Sequence, residues 1–99
     1  MTFVEFTSSV QWTNAPSGIN IYLQALWHDA KGNWEIAHTI IQDIDTPEGM
    51  WIHAYLHRKE GDDSNARYWY GRAGKKFPKV SLDEEWEEIV SCLIADLKI

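Results

Sequence analysis

The sequence has only one cysteine, Cys92, among its 99 residues. A single thiol can form neither an intramolecular disulfide nor a cysteine-based zinc site, so both are excluded. No segment approaches the roughly 18 consecutive apolar residues that a membrane span requires, and the N-terminus lacks a basic segment followed by an apolar one. We therefore expect a cytoplasmic protein with no membrane partner.

Positive charge is also scarce, because 9 lysines and arginines stand against 15 aspartates and glutamates and give a net charge of -6. Binding to phosphate groups needs clustered positive charge, so we expect neither nucleic acid nor an anionic membrane as a partner. A local excess of cations between residues 65 and 82 is followed by a run of acids between 83 and 88. The simplest interpretation is that these two segments neutralise each other.

Apolar residues make up 44% of the chain and charged residues 24%, which is the composition of a globular protein. At this length we expect one domain, covering residues 1–99, with a single core. Six tryptophans are many for so short a chain. Each of them either fills the core or marks a contact surface, and composition alone does not sort them.

The clearest periodic pattern predicts a helix over residues 82–98. Its apolar residues fall on one face of an α-helix: Leu82, Trp86, Ile89, Val90, Leu93, Ile94 and Leu97. Ser81 and Glu84 have the spacing of a capping box, which predicts that the helix begins directly after Ser81.

A pair of helices is predicted upstream of that long helix. Thr46 followed by Pro47 is typical of a helix start, and Gly61 can adopt the left-handed conformation that ends a helix. Together with the cap residues that follow Gly61, these signals predict helices over residues 47–60 and 64–75. The connection is only a few residues long, so the two helices should form an antiparallel hairpin.

The same signals occur in the first half of the chain. Ser17 can cap a helix that runs to Lys31 and ends at Gly32, and Asn33 can cap another that runs to about Asp45. The apolar face of this second helix is formed by Ile36, Ile40 and Ile44, with Ala37 and Ile41 beside them.

The first 16 residues admit two conformations. Thr2 and Glu5 could form a capping box for a short helix with Phe3, Phe6 and Val10 facing inward. The same stretch could instead be an extended arm. We favour the short helix.

These patterns predict one all-α domain. It consists of an N-terminal segment at 1–16, helical hairpins at 17–45 and 47–76, and a long C-terminal helix at 82–98 that caps the core.

The spacing of small and aromatic residues in the second hairpin resembles a tetratricopeptide-type repeat. The residues that carry the resemblance are Ala54, Gly61, Ala66, Tyr70, Ala73 and Pro78, and the first hairpin keeps Ala25, Gly32, Trp34 and Ala37. The resemblance covers roughly residues 17–78 and implies an architecture rather than an activity. The run from His53 to Ala73 is also similar to that of an uncharacterised family of short bacterial proteins.

Two histidines, His53 and His57, lie four residues apart on one predicted helix face and could bind one divalent metal ion. Glu60, His28 or Asp29 would have to complete the site. The alternative, which we favour from the sequence, is that both histidines are packed and hydrogen-bonded, so that no cofactor is present.

Acid and base catalysis by histidine is a further alternative, with a site around His28, His53 and His57. The sequence offers no partner nucleophile, because the one cysteine lies on a helix that is predicted to bury it and no serine stands in a glycine-flanked elbow. An enzyme, whether dependent on a metal or on histidine, is therefore less favoured than a protein without catalytic activity.

Three consecutive aromatic residues, Tyr68, Trp69 and Tyr70, point in different directions on a helix. We expect Trp69 and Tyr70 to pack and Tyr68 to be freer. With Arg67, Arg72 and Lys75 they could form a patch for a phosphate or single-stranded nucleic acid, but the neighbouring acids disfavour it.

The favoured function is a small binding or scaffold domain for a protein or a small ligand. In stacked hairpins the first helices line a concave surface, which would carry aromatic and arginine side chains typical of contact sites. The candidate binding residues are Trp51, His53, Tyr55, His57, Arg58 and Arg72. The alternative is that Trp51 and Tyr55 only fill the groove beneath the C-terminal helix.

Overall fold

The fold is all-helical in the computed structural model, which describes residues 1–96 and contains no strand in that part of the chain. This confirms the predicted fold class. The six helices are α1 (Phe3–Ser9), α2 (Ile21–Ala30), α3 (Trp34–Ile41), α4 (Pro47–Lys59), α5 (Asp63–Ala73) and α6 (Leu82–Asp96). None of them is both long and apolar enough to cross a membrane.

Helix α1 begins with the predicted capping box. The Glu5 amide donates to Thr2 Oγ1 at 3.1 Å, and the Thr2 amide donates to Glu5 Oε1 at 2.8 Å. These two bonds satisfy amides that would otherwise lack a partner at the start of the helix. The N-terminal segment is therefore helical rather than an extended arm, and it buries Phe6 completely.

Helices α4 and α6 also begin where the sequence places them. Thr46 Oγ1 accepts from the Gly49 amide at 3.1 Å, and Ser81 Oγ accepts from the Glu84 amide at 3.1 Å. The predicted end of the long helix at residue 98, including Leu97, lies outside the described residues.

The start of α2 is a correction. We expected Ser17 to cap this helix, but α2 begins at Ile21, and Asn20 is its cap, accepting from the Leu23 amide at 2.9 Å. The reason is Gly18, whose φ of +81° is left-handed and interrupts any helix that would start at Ser17.

The predicted apolar face of α3 is also partly wrong. Ile36 is 45% exposed, whereas Ala37 and Ile41 are fully buried. The helix ends at Ile41 instead of Asp45, so Ile44 lies beyond it. The inward face is thus rotated from the predicted one, and this rotation decides which side chains of α3 approach α4.

The helices pack as consecutive pairs, α2 with α3 and α4 with α5. Four small residues, Ala25, Ala37, Ala54 and Ala66, have no exposed surface at all, as expected where helices approach closely. Helix α3 also packs on α4, while α6 contacts α1, α2 and α4. Helix α6 thereby closes the main core, where its own Ile89 and Val90 are buried.

A fully buried carboxylate, Glu85, joins α6 to the second pair of helices. It accepts from Arg58 Nη1 at 2.8 Å, from Trp51 Nε1 at 3.1 Å and from the Tyr70 hydroxyl at 2.6 Å. The charge is paired and both oxygens are hydrogen-bonded, which is the condition for burying a carboxylate without a large penalty.

A second buried carboxylate, Asp29, joins α2 to α4 in the same way. It accepts from the Tyr55 hydroxyl at 2.7 Å and from Lys59 Nζ at 2.8 Å. Burial, together with the charge of Asp29, raises the pKa of Tyr55 well above its ordinary value. Tyr55 therefore stays neutral and acts as a hydrogen-bond donor.

Candidate metal site

Three histidines, His38, His53 and His57, come together where α3 packs on α4. Nε2 of His38 lies 3.1 Å from Nε2 of His53. The ring centroid of His57 is 4.8 Å from that of His53 and 5.2 Å from that of His38. One ring nitrogen of each residue lies within 4.8 Å of one ring nitrogen of the other two. We call this group the histidine cluster.

The helices bring these side chains together in a simple way. His53 and His57 are separated by one turn of α4 and so share a face, as the sequence predicts. His38 comes from the last turn of α3, whose inward face it shares with Ala37 and Ile41. A contact between only two helices therefore assembles all three rings.

Two tryptophans form the walls of the histidine cluster. The Trp34 ring stacks on His38 with centroids 4.8 Å apart and planes at 8°, and the Trp69 ring stacks on His53 at 4.1 Å and 28°. Trp34 is itself fixed, because its Nε1 donates to the Leu56 carbonyl at 2.7 Å. These rings restrict the orientation of the imidazoles and keep water away from their faces.

The third imidazole, His57, has polar neighbours on both ring nitrogens. Its Nδ1 lies 2.6 Å from Oε2 of Glu60, and its Nε2 lies 3.4 Å from Nδ2 of Asn65. Glu60 is at the end of α4 and Asn65 is in the first turn of α5. The turn between the two helices thus brings an acid and an amide to the edge of the cluster.

The surroundings favour neutral imidazoles. Burial, reinforced by the charges of His57 and His38, lowers the pKa of His53 to about 4. Burial and the charge of His57 also lower the pKa of His38, against the opposing charges of Glu60 and Glu35. Both rings are therefore uncharged near pH 7, and an uncharged imidazole has the free lone pair that a metal ion requires.

A second group of potential ligands overlaps the cluster and consists of His57, Glu60 and Asp62. Its two carboxylates are exposed and already have partners within the chain. Asp62 Oδ1 accepts from the Asn65 amide at 3.3 Å and caps α5, while Glu60 bonds His57. Exposed acids that serve as caps are poor evidence for a site, so the three imidazoles are the better candidate.

The histidine cluster differs from the set that the sequence suggested. His28 is not part of it; its ring packs edge-on to Trp27 at 5.1 Å, and its buried Nδ1 has no hydrogen-bond partner within the described residues. Asp29 is held by Tyr55 and Lys59 instead of a histidine. Of the three residues suggested to complete the site, only Glu60 contacts His53 or His57.

Most of the predicted surface residues support the packing of the helices. Tyr55 is 2% exposed, and Trp51 and Arg58 donate to Glu85 beneath α6. Arg72 is exposed, pairs with Asp45 at 3.1 Å and lies over the Trp69 ring at 5.2 Å.

The aromatic run on α5 has the predicted arrangement. Tyr70 is 1% exposed and Trp69 is half-buried, whereas Tyr68 is 58% exposed. The stacking of Trp69 on His53 links this run to the histidine cluster.

Sequence reasoning missed His38. A signal was present, because Trp34, Ala37, His38 and Ile41 have the i, i+3, i+4, i+7 spacing of one helical face. The isoleucines at 36, 40 and 44 obscured it by offering a more apolar alternative.

Comparisons of the chain with protein-family models, curated proteins and solved structures gave no match.

Proposed function

We propose that this chain is a small cytoplasmic protein that binds one divalent transition-metal ion through His38, His53 and His57. The observation that carries the proposal is the approach of one nitrogen from each ring to within 4.8 Å of the other two. Packing alone requires no such convergence, since imidazoles that share a core need not direct their nitrogens to a common point.

The separations are close to those of a coordinated ion. Zinc–nitrogen bonds of about 2.0–2.1 Å in a tetrahedral arrangement place ligand nitrogens roughly 3.4 Å apart. The nitrogens of His38 and His53 are already 3.1 Å apart. The ring nitrogen that His57 offers lies within 4.8 Å of the other two.

The ligand set also indicates a class of metal. Imidazole suits zinc, copper, nickel and cobalt, whereas calcium and magnesium prefer oxygen ligands. Three protein ligands leave one position of a tetrahedral ion for water or a small ligand, which is the ligand count of catalytic rather than structural zinc sites. This count is compatible with the metal-dependent enzyme that the sequence raised as an alternative.

A scaffold surface at residues 51–59, the function favoured from the sequence, has less support. His53, Tyr55 and His57 are buried, so a partner at that surface would contact few of the residues proposed for it. The resemblance to tetratricopeptide repeats stays a prediction and implies no ligand.

The test is a titration of the purified protein with Co²⁺ and Zn²⁺, followed by calorimetry and by the visible absorption of Co²⁺. We expect one equivalent to bind with a tetrahedral cobalt spectrum. Loss of a residue that hydrogen-bonds to a metal ligand typically costs about 10- to 100-fold in metal affinity. Substituting His53→Gln removes a ligand itself, so we expect a larger loss of affinity. The matched control is His28→Gln, which changes the histidine outside the cluster and should leave affinity unchanged.

Two results would contradict the proposal. One is the absence of stoichiometric binding by a folded wild-type protein, as judged by circular dichroism. The other is an equal loss of affinity in the His28 and His53 variants, which would show that metal binds adventitiously. In either case the cluster is a packing arrangement of aromatic rings.

A further inference from the structure

Glu60 makes the shortest hydrogen bond to the histidine cluster. Its Oε2 lies 2.6 Å from Nδ1 of His57, and its side chain is 38% exposed. An ionised carboxylate can only accept hydrogen bonds. Nδ1 of His57 must therefore carry the proton in this contact, which leaves the lone pair of the neutral ring on Nε2.

The neighbour of the other ring nitrogen agrees with this assignment. Nδ2 of Asn65, which is a donor, lies 3.4 Å from Nε2 of His57. A donor on that side suits an acceptor nitrogen. The contact from α5 is thus compatible with the tautomer that the contact from α4 requires.

His38 and His53 have no comparable partner. Their Nε2 atoms face each other at 3.1 Å, so one donates and the other accepts, and either ring can take either role. In the part of the chain that the structure describes, Glu60 is the one carboxylate hydrogen-bonded to a ring of the histidine cluster.

We infer that Glu60 is a positioning residue that holds the proton of His57 on Nδ1 and presents Nε2 of His57 to the metal. The part of this inference that concerns metal binding rests on the proposed function. The part that concerns the tautomer rests on the hydrogen-bond geometry of the metal-free chain. A carboxylate on the outer nitrogen fixes the ring and makes the inner nitrogen more basic, and its loss typically costs about 10- to 100-fold in metal affinity.

The first experiment measures the tautomer without metal. Nitrogen-15 correlation spectra of histidine-labelled protein distinguish a protonated ring nitrogen from an unprotonated one. We expect His57 to carry its proton on Nδ1 in the wild type and to become a mixture of tautomers in Glu60→Ala. A wild-type His57 protonated on Nε2 would overturn the inference.

The second experiment measures cobalt binding by Glu60→Ala, Glu60→Gln and a control, Glu35→Ala. Glu35 is an exposed acid that places charge near His38 without a hydrogen bond to any ring of the cluster. We expect about a 10- to 100-fold loss in Glu60→Ala, a smaller loss in Glu60→Gln, whose amide oxygen still accepts, and little change in Glu35→Ala. Equal losses in the Glu60→Ala and Glu35→Ala variants would overturn the inference, since they would show a general charge effect.

The visible spectrum separates positioning from direct ligation. Unchanged cobalt bands in Glu60→Ala, at lower affinity, support a carboxylate that acts through His57. Shifted bands would make Glu60 a ligand and overturn its assignment as a positioning residue. If the wild type binds no cobalt, the proposed function fails, whereas the tautomer measurement still decides whether Glu60 fixes the ring.

Discussion

Helix α4 contacts two buried polar groups of different kinds, the Glu85 carboxylate and the histidine cluster, and the two differ in how completely they are satisfied. Glu85 from α6 receives donors from Arg58, Trp51 and Tyr70, so its charge and both its oxygens are matched. The histidine cluster instead brings three groups of the same kind together, and two of them face each other through identical nitrogens.

We interpret this difference as one between a structural role and the proposed metal-binding role. A buried charge with a full set of partners holds helices together, and its function is complete within the chain. The converging imidazole nitrogens bond to one another or to Asn65, so their lone pairs become available to a metal ion only when those hydrogen bonds break.

Substituting Glu85→Ala should be the most damaging change. It leaves the Arg58 charge and the Tyr70 hydroxyl without their partner, and removing one member of a buried ion pair costs about 3–5 kcal/mol. Urea denaturation gives the free energy of unfolding. The control is Glu88→Ala, an exposed acid on the same helix, with an expected effect within about 0.5 kcal/mol. Similar losses of unfolding free energy in both variants would show that Glu85 is no more important to stability than an exposed acid.

Acid should destabilise the metal-free protein through the histidine cluster. The pKa of His53 is about 4 in the folded chain, against about 6.5 when unfolded. Between these values the unfolded chain binds more protons, so the free energy of unfolding falls as pH falls, by up to about 3 kcal/mol. Above pH 6.5 His53 is neutral in both the folded and the unfolded chain, so this loss of stability is absent.

The measurement is urea denaturation at pH 7, 5.5 and 4.5 with a chelator present. His53→Gln, which has no proton to gain at this position, should lose less stability over the same range. If the free energy of unfolding changed with pH in the same way in both proteins, protonation of His53 would not destabilise the folded state, which would contradict the prediction.

Substituting Arg72→Ala should have the smallest effect. Arg72 pairs with Asp45, but both side chains are well exposed, and exposed ion pairs contribute about 0–1 kcal/mol. We expect a change of less than about 1 kcal/mol in the free energy of unfolding, including any loss of contact with the Trp69 ring. A change as large as that of Glu85→Ala would place Arg72 among the structural groups and contradict its exposed position.

Much of the fold could be predicted because its helix boundaries depend on local chemistry. The capping box at Thr2, the cap at Ser81 and the proline after Thr46 each act within a few residues. The boundary near Ser17 could not be predicted in this way, because Asn20 and Ser17 are both suitable caps. The left-handed Gly18 between them decides the outcome, and a glycine can adopt either hand.

The candidate site was only half predictable. The shared face of His53 and His57 follows from helical periodicity, which is a local property. The approach of His38 depends on the rotation of α3 against α4, and that rotation is set by which apolar side chains find room in the core. Ile36, exposed in spite of its apolar side chain, shows that hydrophobicity alone does not determine it.

The position of Glu85 in the chain has a consequence for folding during synthesis. The polypeptide emerges from its N-terminal end, so Trp51, Arg58 and Tyr70 are exposed to solvent before the residue that accepts from all of them has been made. Until then water, rather than a carboxylate, satisfies their polar atoms. Helix α6 supplies both the carboxylate and part of the apolar core, so we expect the packing around Trp51, Arg58 and Tyr70 to be complete only after α6 has been synthesised.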